Sequence, residues 1–326
     1  MNENFDRGAL GKERLCAVLR NMLLIRHLEI RGEAAYQQGL IGGFYHAYIG
    51  QEAIQAAAIE AFGVENWYIT SYRCHALALL LGATPNEIMA ELYGRKTGNA
   101  EGRGGSMHLY TKRLLGGFGI VGGHLPVAIG AAFSIKYLEK RELAICFLGE
   151  GAVAQGAFHE SLNLAALWNL PIVFIIENNN WGMGTHVSRA ISVDKIAEMH
   201  AVSYGISGYT LDGMDFFDCY AGFKKAHKEV LESSKPVLIE CLCERFRGHS
   251  VSDPGLYRTK EQMQESLKKD PILRLRHTLE EKGWLDEHTF KEMDSREKES
   301  AIAAMKYAEE SPWPSPATLE EDVYAP

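Results

Sequence analysis

Three short segments of this chain combine glycines with polar side chains, and each follows a run of apolar residues. Residues 149–156 read GEGAVAQG, residues 178–184 read NNNWGMG, and residues 245–250 read RFRGHS. Glycines let backbone amides approach an anion closely, and the helix N-terminus expected after the first segment also favours negative charge. The first segment therefore has the residue types of an anion-binding turn.

The polar side chains of these segments suit a metal-bound diphosphate. Glu150 and Asn179 can each offer an oxygen to a hard cation such as Mg²⁺, which often bridges to phosphate groups. The third segment adds arginine charge and the titratable imidazole of His249. Together the segments predict a magnesium–diphosphate pocket, whereas each one alone is more often ordinary turn chemistry.

A parallel sheet would bring these segments to one place. Short, continuous apolar runs alternate with amphipathic stretches, which is the pattern of buried strands separated by helices. Ligands of such sheets bind beyond the carboxyl ends of the strands, where the three polar segments begin. The predicted helices cover residues 11–38, 51–61, 85–93, 126–140, 157–169 and 217–232, and the predicted strands cover 143–148, 172–177 and 236–243. Residues 67–70 form a short apolar piece.

The predicted fold class is therefore α/β, a parallel sheet with helices on both faces, in one domain that spans residues 1–326. Within this domain we expect a helical arm at residues 9–40 and a cofactor-binding core at residues 41–250. Residues 251–326 are expected to form a loop and a highly charged, helical C-terminal part.

A glycine-rich stretch, residues 94–123, has almost no periodicity and is predicted to be a loop. Within it, residues 117–122 read GFGIVG and match the G-x-G-x-x-G pattern of dinucleotide-binding proteins. That pattern is informative only between a strand and a helix, and residues 109–116 do not form a convincing strand pattern. Nicotinamide binding is therefore a disfavoured alternative.

Composition excludes several classes of protein. The 326 residues carry a net charge of −8, so the basic field of a nucleic-acid-binding protein is absent. No run of about 18 apolar residues suggests a membrane span, and the first eleven residues do not resemble a secretory signal. We therefore expect a cytoplasmic protein. The six cysteines contain no C-x-x-C pair, which favours buried, reduced thiols over zinc or disulfide alternatives.

GEG followed about 30 residues later by NN resembles the thiamine-diphosphate motif, usually written GDG…NN. Further segments, in order along most of the chain, are similar to the alpha subunits of thiamine-diphosphate-dependent 2-oxoacid dehydrogenases. These segments are GGFYHAYIGQEA from Gly42, ITSYRCHA from Ile69, GRGGSMHLY from Gly102, GGFGIVGGHLP from Gly116, ALWNLPIVFIIENNNWGMGT from Ala166 and RFRGHSVSDPGLYRT from Arg245. The resemblance implies a thiamine-diphosphate-binding fold.

The resemblance also implies roles for individual residues. Mg²⁺ would be held by Glu150, Asn179 and the backbone carbonyl of Trp181, and His249 and His46 would be the catalytic residues. Packing roles for Met183 and His46 remain alternatives. Glu150 departs from the aspartate usual in the family, which puts the metal geometry and activity in question. The residues implied to contact thiamine diphosphate are His46, Tyr72, Arg73, Thr111, Gly119, Val121, Gly151, Ala152, Met183 and His249.

The implied activity is oxidative decarboxylation of a 2-oxoacid, with transfer of the acyl group to a lipoyl group on an acyltransferase component. Residues 249–255, HSVSDPG, look more like pyruvate enzymes than branched-chain or acetoin relatives. The serine that matches Ser250 is phosphorylated where a regulatory kinase exists. No motif supplies the carboxylate that activates the aminopyrimidine, so a beta subunit in an α2β2 heterotetramer is expected. A catalytically silent relative is the remaining alternative.

Overall fold

A computed structural model of the chain describes residues 10–321 and residue 323. Residues 1–9, 322 and 324–326 lie outside this description, and with them most of the segment considered for a secretory signal. The predicted α/β class is confirmed, because the described residues form one six-stranded parallel sheet with helices around it.

The order of the strands places a switch point near the middle of the sheet. The order is β2-β1-β3-β4-β8-β7, so the chain runs outward from β1 to β2 and then returns to β3 on the other side of β1. Parallel sheets bind ligands at the carboxyl ends of the strands that flank such a reversal. The strands are β1 (Trp67–Ser71), β2 (Leu114–Phe118), β3 (Ala144–Gly149), β4 (Ile172–Asn178), β7 (Ser207–Asp212) and β8 (Val237–Leu242), with β5 (Trp181–Gly182) and β6 (Thr185–His186) forming a separate hairpin.

Successive residues of the central strands point to two different hydrophobic cores. In β3, Ile145 and Phe147 belong to the larger core, whereas Cys146 and Leu148 belong to the smaller one on the other face. This alternation is the period-two geometry of a strand. Cys241 and Cys243 both face the larger core, as the same alternation predicts, and all six cysteines are free thiols.

Helices cover both faces of the sheet. The smaller core is covered by α5 (Leu125–Tyr137), α6 (Gly156–Leu167) and α7 (Ile196–Tyr204). None of the helices in the described part of the chain is long and apolar enough to cross a membrane. The larger core is covered by α1 (Lys12–Gln37), α2 (Glu52–Phe62), α3 (His75–Leu80), α4 (Pro85–Leu92), α8 (Phe216–Ser233), α10 (Pro271–Glu281) and α11 (Glu287–Glu310), and α9 (Lys260–Leu267) precedes α10.

Most predicted elements are confirmed within a few residues, but the prediction of one continuous loop over residues 94–123 is wrong. Residues 114–118 form the edge strand β2, which pairs in parallel with β1. Its sequence, LLGGF, contains two glycines and is too short to show a strand pattern. Strands β1 and β7 and helices α3 and α7 are also additions to the elements that the sequence pattern indicates, and β1 coincides with the short apolar piece at residues 67–70.

The glycine-rich loop before β2 is held by a single buried carboxylate. Glu91, at the end of α4, is fully buried and accepts hydrogen bonds from the backbone amides of Ala100, Gly102, Gly104 and Gly105 at 2.7–3.1 Å. These amides donate to a carboxylate instead of to backbone carbonyls, so the loop is ordered without regular secondary structure. The loop leads directly into Met107, which lines the cleft described below.

Candidate active site

A cleft of about 820 Å³ lies at the carboxyl ends of the strands that flank the switch point. Its wall includes residues 71–73 at the end of β1, residues 149–152 at the end of β3, Asn179 and Trp181 after β4, and Arg245 after β8. The parallel sheet thus brings together the three polar segments singled out from the sequence. These segments span nearly 100 residues of sequence, and the strand order places them next to one another.

All but one of the residues predicted to form the site line this cleft. The exception is Thr111, whose hydroxyl accepts hydrogen bonds from the amides of Arg113 and Leu114 and so shapes the turn before β2. The predicted residues in the cleft wall are His46, Tyr72, Arg73, Gly119, Val121, Glu150, Gly151, Ala152, Asn179, Trp181, Met183 and His249.

The oxygens predicted to bind a metal converge on a positive charge. Nη1 of Arg245 lies 3.2 Å from Oδ1 of Asn179 and 3.2 Å from the backbone carbonyl of Trp181. The buried carboxylate of Glu150 is close by, since its Oε2 accepts a 3.3 Å hydrogen bond from the backbone amide of Asn179. Burial raises the pKa of Glu150 above its usual range. The oxygens of Glu150, Asn179 and Trp181 thus form a corner of the cleft in which oxygen atoms are arranged to meet a cation.

The turn that carries these oxygens has an unusual backbone. Asn180 and Met183 both adopt positive φ angles, +68° and +55°. Asparagine tolerates this region, but for methionine it is uncommon and indicates a conformation imposed by the surrounding structure. Met183 is also 61% exposed in the cleft. The alternative of Met183 as an ordinary core residue is therefore wrong.

Three rings form a cluster in the wall of the cleft. The centroid of His46 lies 4.2 Å from that of Tyr72 and 5.1 Å from that of His249. Burial and the charge of Arg73 lower the pKa of His46 to about 2, and burial, Arg73 and Arg245 lower the pKa of His249 to about 3. Both imidazoles are thus neutral at pH 7. In the described chain, the buried Nδ1 atoms of both have no hydrogen-bond partner.

Arg73 joins the two segments that carry these histidines. It is buried, and its Nη1 donates to the carbonyl of Ala47 at 2.9 Å while its Nη2 donates to the carbonyl of His249 at 2.5 Å. A planar guanidinium can make both bonds at once, which a lysine ammonium on a flexible stem does less well. Arg73 therefore orients the backbone beside both histidines, in addition to supplying charge.

Sequence reasoning missed several residues of the cleft. The sequence singles out Arg245 only as part of a basic segment, although its side chain is 2% exposed and lies beside the oxygens predicted to bind a metal. Gln51 accepts a hydrogen bond from Nδ2 of Asn179 at 3.5 Å. Burial raises the pKa of Glu177 to about 7, and Tyr48 and Gln55 donate hydrogen bonds to its carboxylate. All three lie in segments that resemble the family, Arg245 at the start of RFRGHS, but the pattern of each segment does not show which of its residues face the cleft.

The segment after β8 has its own hydrogen-bond network. Both oxygens of Asp253 are used: Oδ2 accepts from the His249 amide at 2.6 Å and from the Tyr257 hydroxyl at 2.7 Å, and Oδ1 accepts from the Gly255 amide at 2.9 Å. Phe246 and Ser250 are buried. The composition of this segment, rich in glycine and polar residues, suggests little to bury, but the structure shows a loop anchored by an apolar ring and a carboxylate.

The dinucleotide-like glycines have a packing explanation. A strand does precede them, contrary to the sequence argument against nicotinamide binding. However, a Cβ on Gly117 would lie 2.4 Å from the Met107 carbonyl and 2.7 Å from Sγ of Cys74. The first glycine of the pattern is therefore required by contact with the chain's own backbone. Gly119 and Val121 instead face the same cleft as the metal-binding corner.

A parallel sheet with helices on both faces, together with the GEG and NN turns at one edge of a cleft, defines an α/β protein of the thiamine-diphosphate-binding class. Comparison with known families agrees: the family described as dehydrogenase E1 component matches residues 20–317. The chain therefore belongs to the dehydrogenase E1 component family, whose members are enzymes that depend on thiamine diphosphate.

Individual relatives are similar over nearly the whole chain. The pyruvate dehydrogenase E1 component subunit alpha of Rickettsia felis is 42% identical over 315 residues, which cover 96% of both chains. The protein of the same name from Rhizobium meliloti is 38% identical over 96% of this chain and 90% of its own length. The mitochondrial pyruvate dehydrogenase E1 component subunit alpha of Schizosaccharomyces pombe is 38% identical over 96% of this chain and 77% of its own length. The resemblance to alpha subunits of 2-oxoacid dehydrogenases is thus confirmed.

Proposed function

We propose that this chain is the alpha subunit of a pyruvate-decarboxylating E1 component. It would bind thiamine diphosphate with Mg²⁺, take part in the oxidative decarboxylation of pyruvate, and serve transfer of the acetyl group to a lipoyl group on an acyltransferase component. The observation that carries this proposal is the convergence of Asn179 Oδ1 and the Trp181 carbonyl on Arg245, next to the Glu150 carboxylate, in the cleft that His249 lines.

The chemistry of the donor set supports Mg²⁺. One carboxylate, one amide oxygen and one backbone carbonyl are hard oxygen ligands, and Mg²⁺ completes its shell with substrate phosphates and water. In the described chain no group of three or more His, Cys, Asp or Glu side chains is arranged to hold a metal ion. Such a group is not needed here, because two of the three proposed protein ligands are the amide oxygen of Asn179 and the backbone carbonyl of Trp181.

The rest of the cleft supports a diphosphate and a ring system. Arg73 and Arg245 supply buried positive charge, and the backbone at Gly151 and Ala152 follows directly after β3. A Cβ on Gly151 would meet only Cα of Gly182, at 3.7 Å, so this stretch is open to a ligand. Met183 projects into the cleft with most of its surface free, and its polarisable thioether suits contact with the cofactor rings.

When bound, thiamine diphosphate would supply the electron sink needed for decarboxylation of a 2-oxoacid. The protein's part is to hold and polarise it. Because His249 and His46 are neutral in the cleft, each can accept a proton at one ring nitrogen. An adjacent diphosphate would raise the pKa of His249 toward neutrality, since a nearby negative charge favours the imidazolium. His249 would therefore be neutral in the empty cleft and would become a better proton acceptor beside the diphosphate.

The cleft supports the need for a second chain. Three carboxylates line its described wall, and each is already committed. Glu150 lies at the metal corner, Glu177 is bound by Tyr48 and Gln55, and Asp253 anchors its own loop. None is free to activate the aminopyrimidine ring. A beta subunit that contributes this carboxylate, in an α2β2 heterotetramer, completes the proposed enzyme.

The test is dye reduction by the chain co-purified with its native partner, in the presence of thiamine diphosphate and Mg²⁺. Turnover that prefers pyruvate supports the proposal. Preference for branched-chain 2-oxoacids or acetoin would assign the substrate to those relatives instead. Cofactor binding without any turnover would identify a catalytically silent relative. Turnover by this chain alone would contradict the proposed beta subunit.

A further inference from the structure

A fully buried carboxylate lies next to the metal-binding turn and has no role in the function proposed above. Glu240, in β8, is 0% exposed, and neither of its oxygens is bound by a lysine or arginine in the described part of the chain. Transfer of a carboxylate into a protein interior is unfavourable unless hydrogen bonds replace water. The position of these hydrogen bonds therefore indicates what the residue does.

Both oxygens of Glu240 accept hydrogen bonds from groups of neighbouring elements. Oε1 accepts from Nδ2 of Asn178 at 2.7 Å, and Oε2 accepts from the backbone amide of Ala197, in the first turn of α7, at 3.3 Å. A carboxylate at a helix N-terminus is stabilised by the helix dipole and the free amides there. Glu240 thus links α7 to the end of β4.

The hydrogen bonds of Asn178 with Glu240 and Asn180 determine which way the side-chain amide of Asn178 faces. The backbone N–H of Asn180 can only donate, so the Oδ1 atom of Asn178 must face it and the NH₂ group of Asn178 must face Glu240. Oδ1 of Asn178 then accepts the backbone amide of Asn180 at 2.9 Å. The carbonyl of Asn178 accepts from the amide of Cys243, at 2.9 Å, so the residue is held on three sides.

This arrangement shapes the turn from which the metal-binding oxygens come. Asn180 has a positive φ of +68°, and the bond from its amide to Asn178 holds that conformation. The residues on either side of Asn180 are Asn179 and Trp181, whose oxygens meet at Arg245. A change in the Asn178 amide would therefore move both oxygens.

We infer that Glu240 is a positioning residue for the cation site, acting through Asn178 to set the direction of the Asn179 and Trp181 oxygens. The inference rests on the proposed binding of Mg²⁺ at this turn. Partners that orient metal ligands in this indirect way typically change metal affinity by about 10- to 100-fold when removed.

The test measures Mn²⁺ binding to the full chain with its partner, and electron paramagnetic resonance detects the bound Mn²⁺. In Glu240→Gln, the new side-chain amide has only one acceptor atom, so its NH₂ group must face a donor, either Nδ2 of Asn178 or the amide of Ala197. A double variant combines Asn178→Asp with Glu240→Gln and reverses the bond between the two side chains. There the new amide at position 240 donates to the new carboxylate at position 178, which still accepts from the Asn180 amide.

Glu91→Gln is the matched control, since Glu91 is equally buried and its carboxylate accepts hydrogen bonds from the glycine-rich loop. We expect Glu240→Gln to weaken Mn²⁺ binding by about 10- to 100-fold and the double variant to recover most of that loss. Glu91→Gln should lower stability and leave the Mn²⁺ affinity unchanged.

Wild-type affinity in Glu240→Gln, or a double variant no better than a folded single one, overturns the inference. If Glu240→Gln does not fold, the double variant decides alone, by folding and binding Mn²⁺ or failing to do so. Absence of Mn²⁺ binding by the wild type contradicts the proposed magnesium site itself, and this inference with it.

Discussion

Nη2 of Arg73 donates a 2.5 Å hydrogen bond to the backbone carbonyl of His249, across 176 residues of sequence. The same guanidinium lowers the pKa of the His249 imidazole, after the effect of burial. One buried charge therefore both positions this histidine and keeps it neutral until an anion enters the cleft. The two roles can be separated by substitution.

Arg73→Lys should keep the charge and lose the bridge between Ala47 and His249. A hydrogen bond from a charged group contributes about 1.5–3 kcal/mol, so we expect thiamine diphosphate to bind about tenfold more weakly or worse. Fluorescence titration with the cofactor measures this loss.

Arg247→Lys is the matched control, because Arg247 is exposed and pairs only with Glu33 and its own loop. Exposed ion pairs contribute about 0–1 kcal/mol, so its cofactor affinity should stay near that of the wild type. Equal losses in the two variants would show that the bridge has no special part in binding.

Glu150 provides a test of how the chain tolerates a longer carboxylate at the metal corner. Glu150→Gln removes the anionic donor and should weaken Mn²⁺ binding most. Glu150→Asp keeps the charge but withdraws it by one methylene from Asn179, so its affinity should fall between those of the wild type and Glu150→Gln. Isothermal titration with Mn²⁺ gives the order directly. Tighter binding by Glu150→Asp would mean that the turn is still shaped for aspartate.

The buried histidines predict how stability depends on pH. Since the pKa of His46 is lowered to about 2, the unfolded chain binds a proton between about pH 2 and 6.5 that the folded chain does not. The free energy of unfolding should therefore decrease as the pH falls below 6.5. Glu177 has the opposite effect on the free energy of unfolding. Because its pKa is raised to about 7, the folded chain binds a proton between about pH 4.5 and 7 that the unfolded chain does not.

His46→Asn isolates the contribution of the imidazole. Urea unfolding at several pH values between about 4.5 and 7.5 should show a shallower loss of stability toward acid in this variant than in the wild type. Parallel curves for the two proteins would mean that His46 titrates normally in the folded chain.

Glu91→Ala should release the glycine-rich loop that leads to Met107. Four backbone amides lose their acceptor, and buried donors left without a partner are unfavourable by about 1–3 kcal/mol each, although water can enter and compensate some of them. We expect a loss of stability of about 3 kcal/mol together with new proteolytic cleavage within residues 98–105. Unchanged cleavage in that loop would show that its contacts with the rest of the chain suffice.

Much of this protein could be predicted from its sequence. Continuous apolar strands such as β3 and β4 are visible because burial on both faces requires apolar residues at every position. The three polar segments follow these strands directly, so Glu150, Asn179 and His249 are predicted together. Strand β2 escaped prediction because its two glycines reflect close contact with other side chains and backbone, such as Met107 and Cys74 at Gly117, which local patterns do not contain.

The sequence by itself determined the fold class, the family and the residue types of the site, because apolar periodicity and motif spacing are local properties of the chain. Only the tertiary structure decided what those residues do to each other. It placed Arg245 against the oxygens of Asn179 and Trp181 that are proposed to bind metal, exposed Met183, left Thr111 in a turn outside the cleft, and set Glu240 behind Asn178. Burial, hydrogen-bond partners and pKa depend on neighbours that lie far away along the chain, and folding alone brings them into contact.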